Sequence, residues 1–178
     1  MAIHLCRKAK ELLKEKKVVG TYYGYTFTLH GNGQSQMRAH YALKKMLDSE
    51  AVDFLMSPQA YSIRNIGGTC GDMKPFKSMF DNNIMPIIED DSRTHNSPYV
   101  TYSNNYQTMT EKATIAVMRR NMGIALARNQ PTYFYAICHG TEFDFPAMAE
   151  DIASMRKAGE FCLRNQVQRN AEIALVVS

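Results

Sequence analysis

The chain contains no tryptophan, and its four cysteines, Cys6, Cys70, Cys138 and Cys162, show no Cys-x-x-Cys spacing and sit in mostly apolar segments. This excludes a disulfide framework and a clustered-thiolate zinc site, and predicts buried free thiols. No run approaches the ~18 apolar residues of a membrane span. Met1-Ala2-Ile3-His4 lacks the basic, apolar, small order of a secretory leader; read as complete, the chain would be cytoplasmic. A large excess of either charge is lacking too. The net charge is +4, and Lys8, Lys10, Lys14, Lys16, Lys17, Arg119, Arg120 and Arg128 are spread over helix-like faces, a solvated surface rather than a nucleic-acid groove. No Gly-x-Ser-x-Gly elbow surrounds Ser92, and the glycines of His30–Gly33 and Gly67–Gly71 do not open helices with phosphate-binding spacing. Neither a nucleic-acid nor a membrane partner is expected.

What is present is an ordinary globular composition. The 178 residues are 45% hydrophobic and 21% charged, enough for one domain with a real core. Ile3, Cys6, Ala9 and Leu13 recur at helical spacing, so the chain opens on an amphipathic helix over about 3–16. Lys17–Tyr25 is β-branched and aromatic and reads as a strand, with His30–Gly33 its loop. A helix over Ser35–Asp48, a strand Val52–Pro58 and a glycine-bearing loop Tyr61–Gly71 follow. The next strand is Met85–Ile88. Asn96–Thr108 reads as a loop. Thr110 caps a helix running to about Arg128, Thr132–Cys138 is a fourth strand, and Pro146 opens a helix to about Arg164. Ala171–Val177 reads as one more strand. Strands alternating with helices predict an α/β fold with a parallel sheet. Either a compact doubly wound sheet or four units of an eight-unit barrel fits this order.

The chemistry concentrates in Met85–His95. An apolar run of strand length breaks into Glu89-Asp90-Asp91-Ser92-Arg93-Thr94-His95, the pattern of a buried parallel strand delivering charged groups to the rim of a sheet. Tyr23 and Tyr25 flank Gly24 at one strand end, and His139 stands at another. Asp90, Asp91, His95 and His139 mix carboxylates with imidazoles but follow no ligand-spacing motif, so no metal and no cofactor is expected.

Tyr23-Gly24-Tyr25, then Asp53-Phe54-Leu55-Met56-Ser57-Pro58-Gln59-Ala60-Tyr61-Ser62-Ile63-Arg64 with Gly67-Gly68, then Glu89–His95 together resemble the C-terminal half of the catalytic barrel in β-galactosidase-like glycoside hydrolases of clan A, family forty-two and its relatives. The resemblance implies that residues 1–168 supply strands five to eight of a TIM (β/α)8 barrel, and that 169–178 begin a following flavodoxin-like domain. It implies a retaining hydrolase of O-glycosidic bonds, with Glu89 as nucleophile and Tyr25, Tyr61, Arg64, Arg93, His95 and His139 near a carbohydrate substrate. The family's acid/base glutamate follows an asparagine on the fourth strand. No Asn-Glu dipeptide occurs here, so the acid is implied to lie on an N-terminal half outside this chain, and the isolated chain is expected to be inactive. Self-association, as a homo-oligomer, or association with that half would complete the barrel. Two other readings compete: a small α/β module that binds carbohydrate or a partner protein without catalysis, and a free-standing hydrolase drawing its acid from Glu142 or Asp144.

Overall fold

A stripe of apolar residues seats the first helix. In the computed structural model, which describes residues 1–14, 16–27, 40–97, 110–137 and 140–167, α1 (Ala2–Leu13) buries Cys6 and ends at Lys14, whose left-handed backbone returns its N–H to the carbonyls of Lys10 and Glu11. The chain continues through β1 (Gly20–Tyr22), α2 (Leu43–Leu47), β2 (Phe54–Pro58), a 3-10 turn (Tyr61–Ile63), α3 (Phe76–Asp81), β3 (Met85–Asp90), α4 (Glu111–Ala127), β4 (Thr132–Phe134) and α5 (Pro146–Arg164). Two helix starts follow from local chemistry. Thr110 Oγ1 accepts the Ala113 N–H at 3.1 Å, a cap that contributes about 1 kcal/mol, and Pro146 fills the first helical position, where its missing N–H costs nothing.

The four strands form one parallel sheet in the order β1-β2-β3-β4. Sequential order in a parallel sheet means that every connection crosses over in the same sense, so the helices collect on one face. Strand register shows which face that is. Thr21, Leu55, Ser57, Pro86, Ile88, Asp90 and Phe134 alternate toward the helices, and Tyr22, Phe54, Met56, Ile87, Glu89 and Tyr133 toward the other side. Under the helices lie two cores. Cys6, Val19, Leu43, Met46, Leu55, Met79 and Ile84 form one, and Met118, Phe145, Met148 and Met155, with Phe134 packed against them, form the other.

The opposite face is not covered in the same way. Among the described residues Tyr22 is 43% and Met85 47% exposed, while Phe54, Met56, Ile87 and Tyr133 are half-buried. Phe54 lies so close to its neighbour on β1 that a Cβ at position 20 would stand 2.4 Å from the ring, which is why the strand begins with glycine there.

Several expectations change in extent. Among the described residues the strand ladder takes in Gly20–Tyr22 of Lys17–Tyr25 and Thr132–Phe134 of Thr132–Cys138, and β4 is in register with Ile88–Asp90, where β3 ends. Met85–Ile88 lengthens to include Glu89 and Asp90. Helix α3 falls in a stretch too short to show a helical period in the sequence. The His30–Gly33 loop, the first residues of the Ser35–Asp48 helix, most of the Asn96–Thr108 loop, Cys138, His139 and the Ala171–Val177 strand lie outside the described residues. Of the cysteines described, Cys6 and Cys70 are buried free thiols and Cys162 is partly exposed.

Candidate active site

Alternation along β3 separates its two carboxylates. Glu89 belongs to the uncovered face near the C-terminal end of the strand, and Asp90, the next residue, turns to the helices. Asp90 is completely buried and fully engaged: Oδ1 accepts the Ser92 N–H at 3.1 Å and Oδ2 accepts Asn121 Nδ2 from α4 at 2.8 Å. Asp91 pairs with Arg64 across a buried contact. Burial pushes the Asp91 carboxyl up from its ordinary range, and the Arg64 guanidinium opposes that rise.

Glu89, 7% exposed, is held by two phenols from different strands. Tyr22 at the end of β1 donates to Oε2, and Tyr133 on β4 donates to the same oxygen at 2.6 Å. The two hydroxyls also touch each other at 2.6 Å. Burial first, then the contact with the Glu89 carboxylate, raises both phenols, Tyr133 to about 12. They are therefore neutral donors at any physiological pH.

The other expected site residues sit around this centre in different ways. Arg64 lies with its guanidinium carbon 4.4 Å above the Tyr61 ring, so these two form one unit with Asp91. Arg120 holds the backbone beneath them, donating to the carbonyls of Arg64 and Asn65 at 2.6 Å each and of Gly68 at 3.0 Å. Arg93 stands 3.6 Å from Glu142 rather than pairing with Glu89. His95 is fastened to α4, its backbone N–H and Nδ1 both 3.1 Å from Thr114 Oγ1, with its ring edge-on to Phe145 at 4.7 Å. Tyr25 is buried beside Ala60 and Met73, where its N–H donates to His40 Nδ1 at 3.1 Å. His139 lies outside the described residues.

Glu142, an alternative source of the acid, is 1% exposed and accepts the Ser97 hydroxyl at 3.1 Å. It joins the loop after β3 to the loop before α5, a contact reinforced by Thr94 Oγ1 donating to the Glu142 carbonyl at 2.6 Å. Asp144 is exposed. Among the described residues no three His, Cys, Asp or Glu side chains converge as metal ligands would.

Tyr22 and Tyr133 were not anticipated from the sequence. The period of two could have found them, since a tyrosine in register with the Glu89 side of a neighbouring strand must share its face. No protein-family model, no curated protein and no solved structure matches the chain. The class that fold and site define is thus a parallel α/β unit carrying one phenol-bound carboxylate at the C-terminal end of its sheet.

Proposed function

We propose that the chain is half of a TIM (β/α)8 barrel, β1 to β4 standing as strands five to eight, from a retaining glycoside hydrolase acting on β-galactosides or related glycosides, with Glu89 as its nucleophile. The observation that carries this reading is the place of Glu89: near the C-terminal end of a parallel strand, on the face opposite the described helices, with both hydrogen bonds on Oε2. Active sites of such barrels gather at that end of the strands. In a retaining mechanism one carboxylate attacks the anomeric carbon, and a second carboxyl group about 5–5.5 Å away protonates the leaving oxygen and then activates water. Asp90, Asp91 and Glu142 are all committed to buried partners, which agrees with the resemblance in leaving the second carboxyl to the complementary half.

A leaving group that departs without protonation removes the need for that acid. Treated with a dinitrophenyl β-galactoside fluorinated next to the anomeric centre, the chain is expected to become labelled slowly, at Glu89 alone, as read by peptide mass spectrometry. The Glu89→Gln variant should stay unlabelled. Label on other residues, or equal labelling of the variant, would remove the reading.

The partner implied is a unit of four strands and three helices that begins and ends in a strand. The described residues carry one helix before β1, α1, packed against it, and another, α5, after β4. A second copy closing the same barrel would bring its α5 to the seam where α1 packs. Sedimentation of the chain alone is expected to show no discrete closed dimer, and a stable dimer with a sharp mass would favour self-completion instead.

A further inference from the structure

Between the C-terminal halves of α4 and α5, beside the start of β4, lies a pit of about 630 Å³. Both of its ends are shut. At one end the helices meet across Gly159, where a Cβ would stand 3.5 Å from Met122 Cε and 3.9 Å from Leu126 Cδ2. At the other, Asn129 Nδ2 donates to the Val167 carbonyl at 2.8 Å. The walls include Met122, Leu126, Leu163 and Val167, and Thr132 and Cys162 bring a hydroxyl and a thiol. None of the lining residues is charged, in a chain of which 21% is charged. Leu163, 79% exposed, marks the side that opens to water. The sheet separates this pit from Glu89: Thr132 alternates toward the helices, and its neighbour Tyr133 reaches Glu89 on the other face.

We infer that the pit is a binding site for a small, neutral, mostly apolar molecule with one hydrogen-bonding group, an alcohol or a ketone. Its dimensions select a small molecule over a protein segment. From Gly159 to Val167 the pit follows roughly 10 Å of chain axis. A strand of more than about three residues, or a helix of more than about two turns, laid along it would run into the Gly159 contact or break the Asn129 bond. The volume falls among those of small-ligand pockets. The lining selects a neutral occupant, because a charged group between uncharged walls would lose its hydration and gain no counter-charge. Leucine, methionine and valine walls favour an apolar body, and Thr132 and Cys162 can meet its polar end. Gly159 keeps the room open. Packing does not demand glycine there, since both contacts of a Cβ would be ordinary ones, and glycine is a poor helix former. A larger side chain would take the space. The site stands apart from the glycosidase reading and does not depend on it.

Prodan, a neutral naphthyl ketone whose emission moves to the blue in apolar surroundings, tests this on the full chain. It is expected to bind saturably, one molecule per chain, and the sulfonated probe anilinonaphthalene sulfonate to bind at least roughly 10-fold more weakly, its charge finding no partner in the pit. Gly159→Leu fills the pit and should weaken Prodan by roughly 10-fold or more. Gly159→Ala, whose methyl group fits, should melt no lower than the wild type, showing that the position tolerates a side chain. Should the leucine variant fail to fold, the wild type still decides the matter. Alkylation of Cys162 by N-ethylmaleimide, followed by peptide mass spectrometry, is expected to slow in proportion to the fraction of chains holding Prodan. The uncovered face of the sheet is the other apolar surface on which the probe could settle. Binding there would leave both the Cys162 rate and the effect of position 159 unchanged, and that result would overturn the site. Equal affinity for the sulfonated probe, or uptake without saturation, would overturn it as well.

Discussion

Replacing Arg64 with alanine is expected to destabilise the fold by about 3–5 kcal/mol at neutral pH, the usual result of removing one member of a buried ion pair. Its side chain is 3% exposed and that of Asp91 5%. The variant would leave Asp91 ionised among Glu89 and Asp90, both of which already raise its pKa. Burial has moved the Asp91 carboxyl above its ordinary 3.8 even with Arg64 in place. A group raised in the folded state favours folding fully below its unfolded value, and that contribution is lost as pH climbs through the folded one. Without Arg64 the folded value rises further, so the window widens upward and the variant should recover part of its loss on acidification. Urea unfolding at neutral and mildly acidic pH measures this. A defect that stays constant with pH would mean that lost packing against Tyr61, and not the unpaired carboxylate, is responsible. The double replacement Arg64→Met with Asp91→Leu removes both charges and should lie much closer to the wild type.

That ion pair also marks how far the sequence could be read. Local chemistry is legible, because a threonine cap and a first-turn proline act within one turn of helix; Thr110 and Pro146 both stand where their helices begin. Alternation is legible too, and it separates Glu89 from Asp90 once β3 is recognised. Helix α3 is not legible, since six residues after Pro75 are too few to show a period. Strand ends are not legible either. Ile137 has a strand-forming side chain, but a strand exists only where a neighbour offers its backbone, and β3 ends at Asp90, whose carbonyl accepts the Tyr135 N–H at 2.9 Å. Partners across the fold are the least accessible. Charge proximity along the chain suggests Arg93 beside Glu89, whereas folding takes Arg93 to Glu142, Arg64 to Asp91 and two tyrosines to Glu89. The motif gathers the charged groups along the chain, and the sheet decides which of them pair with one another.

The second large effect is expected at Lys74, a residue that no motif singles out. Its side chain is fully buried, beneath the helix-facing side of the sheet. Nζ donates to Ser57 Oγ on β2 at 2.8 Å and to Asp72 at 3.0 Å. Asp72 in turn accepts Gln130 Nε2, just before β4, at 2.7 Å. One ammonium thus ties the segment before α3 to β2 and, through Asp72, to the start of β4. Lys74→Met keeps most of the stem and removes the charge, leaving Asp72 buried without its cation, and should cost about 3–5 kcal/mol. Lys74→Ala adds a cavity and should cost more. Burial, opposed by Asp72, holds the ammonium below its ordinary 10.5, so between the folded value and 10.5 the unfolded chain binds more protons than the folded one. Stability then rises with pH across that window, and this contribution is lost as pH falls through the folded value. Other lysines and the tyrosines titrate in the same range, so the informative quantity is the difference in unfolding free energy between the wild type and Lys74→Met, followed from neutral pH toward 10.5. It should grow as the medium becomes alkaline. A difference independent of pH would mean that Lys74 keeps its proton in the folded state as firmly as in water, and that Asp72 compensates the burial in full.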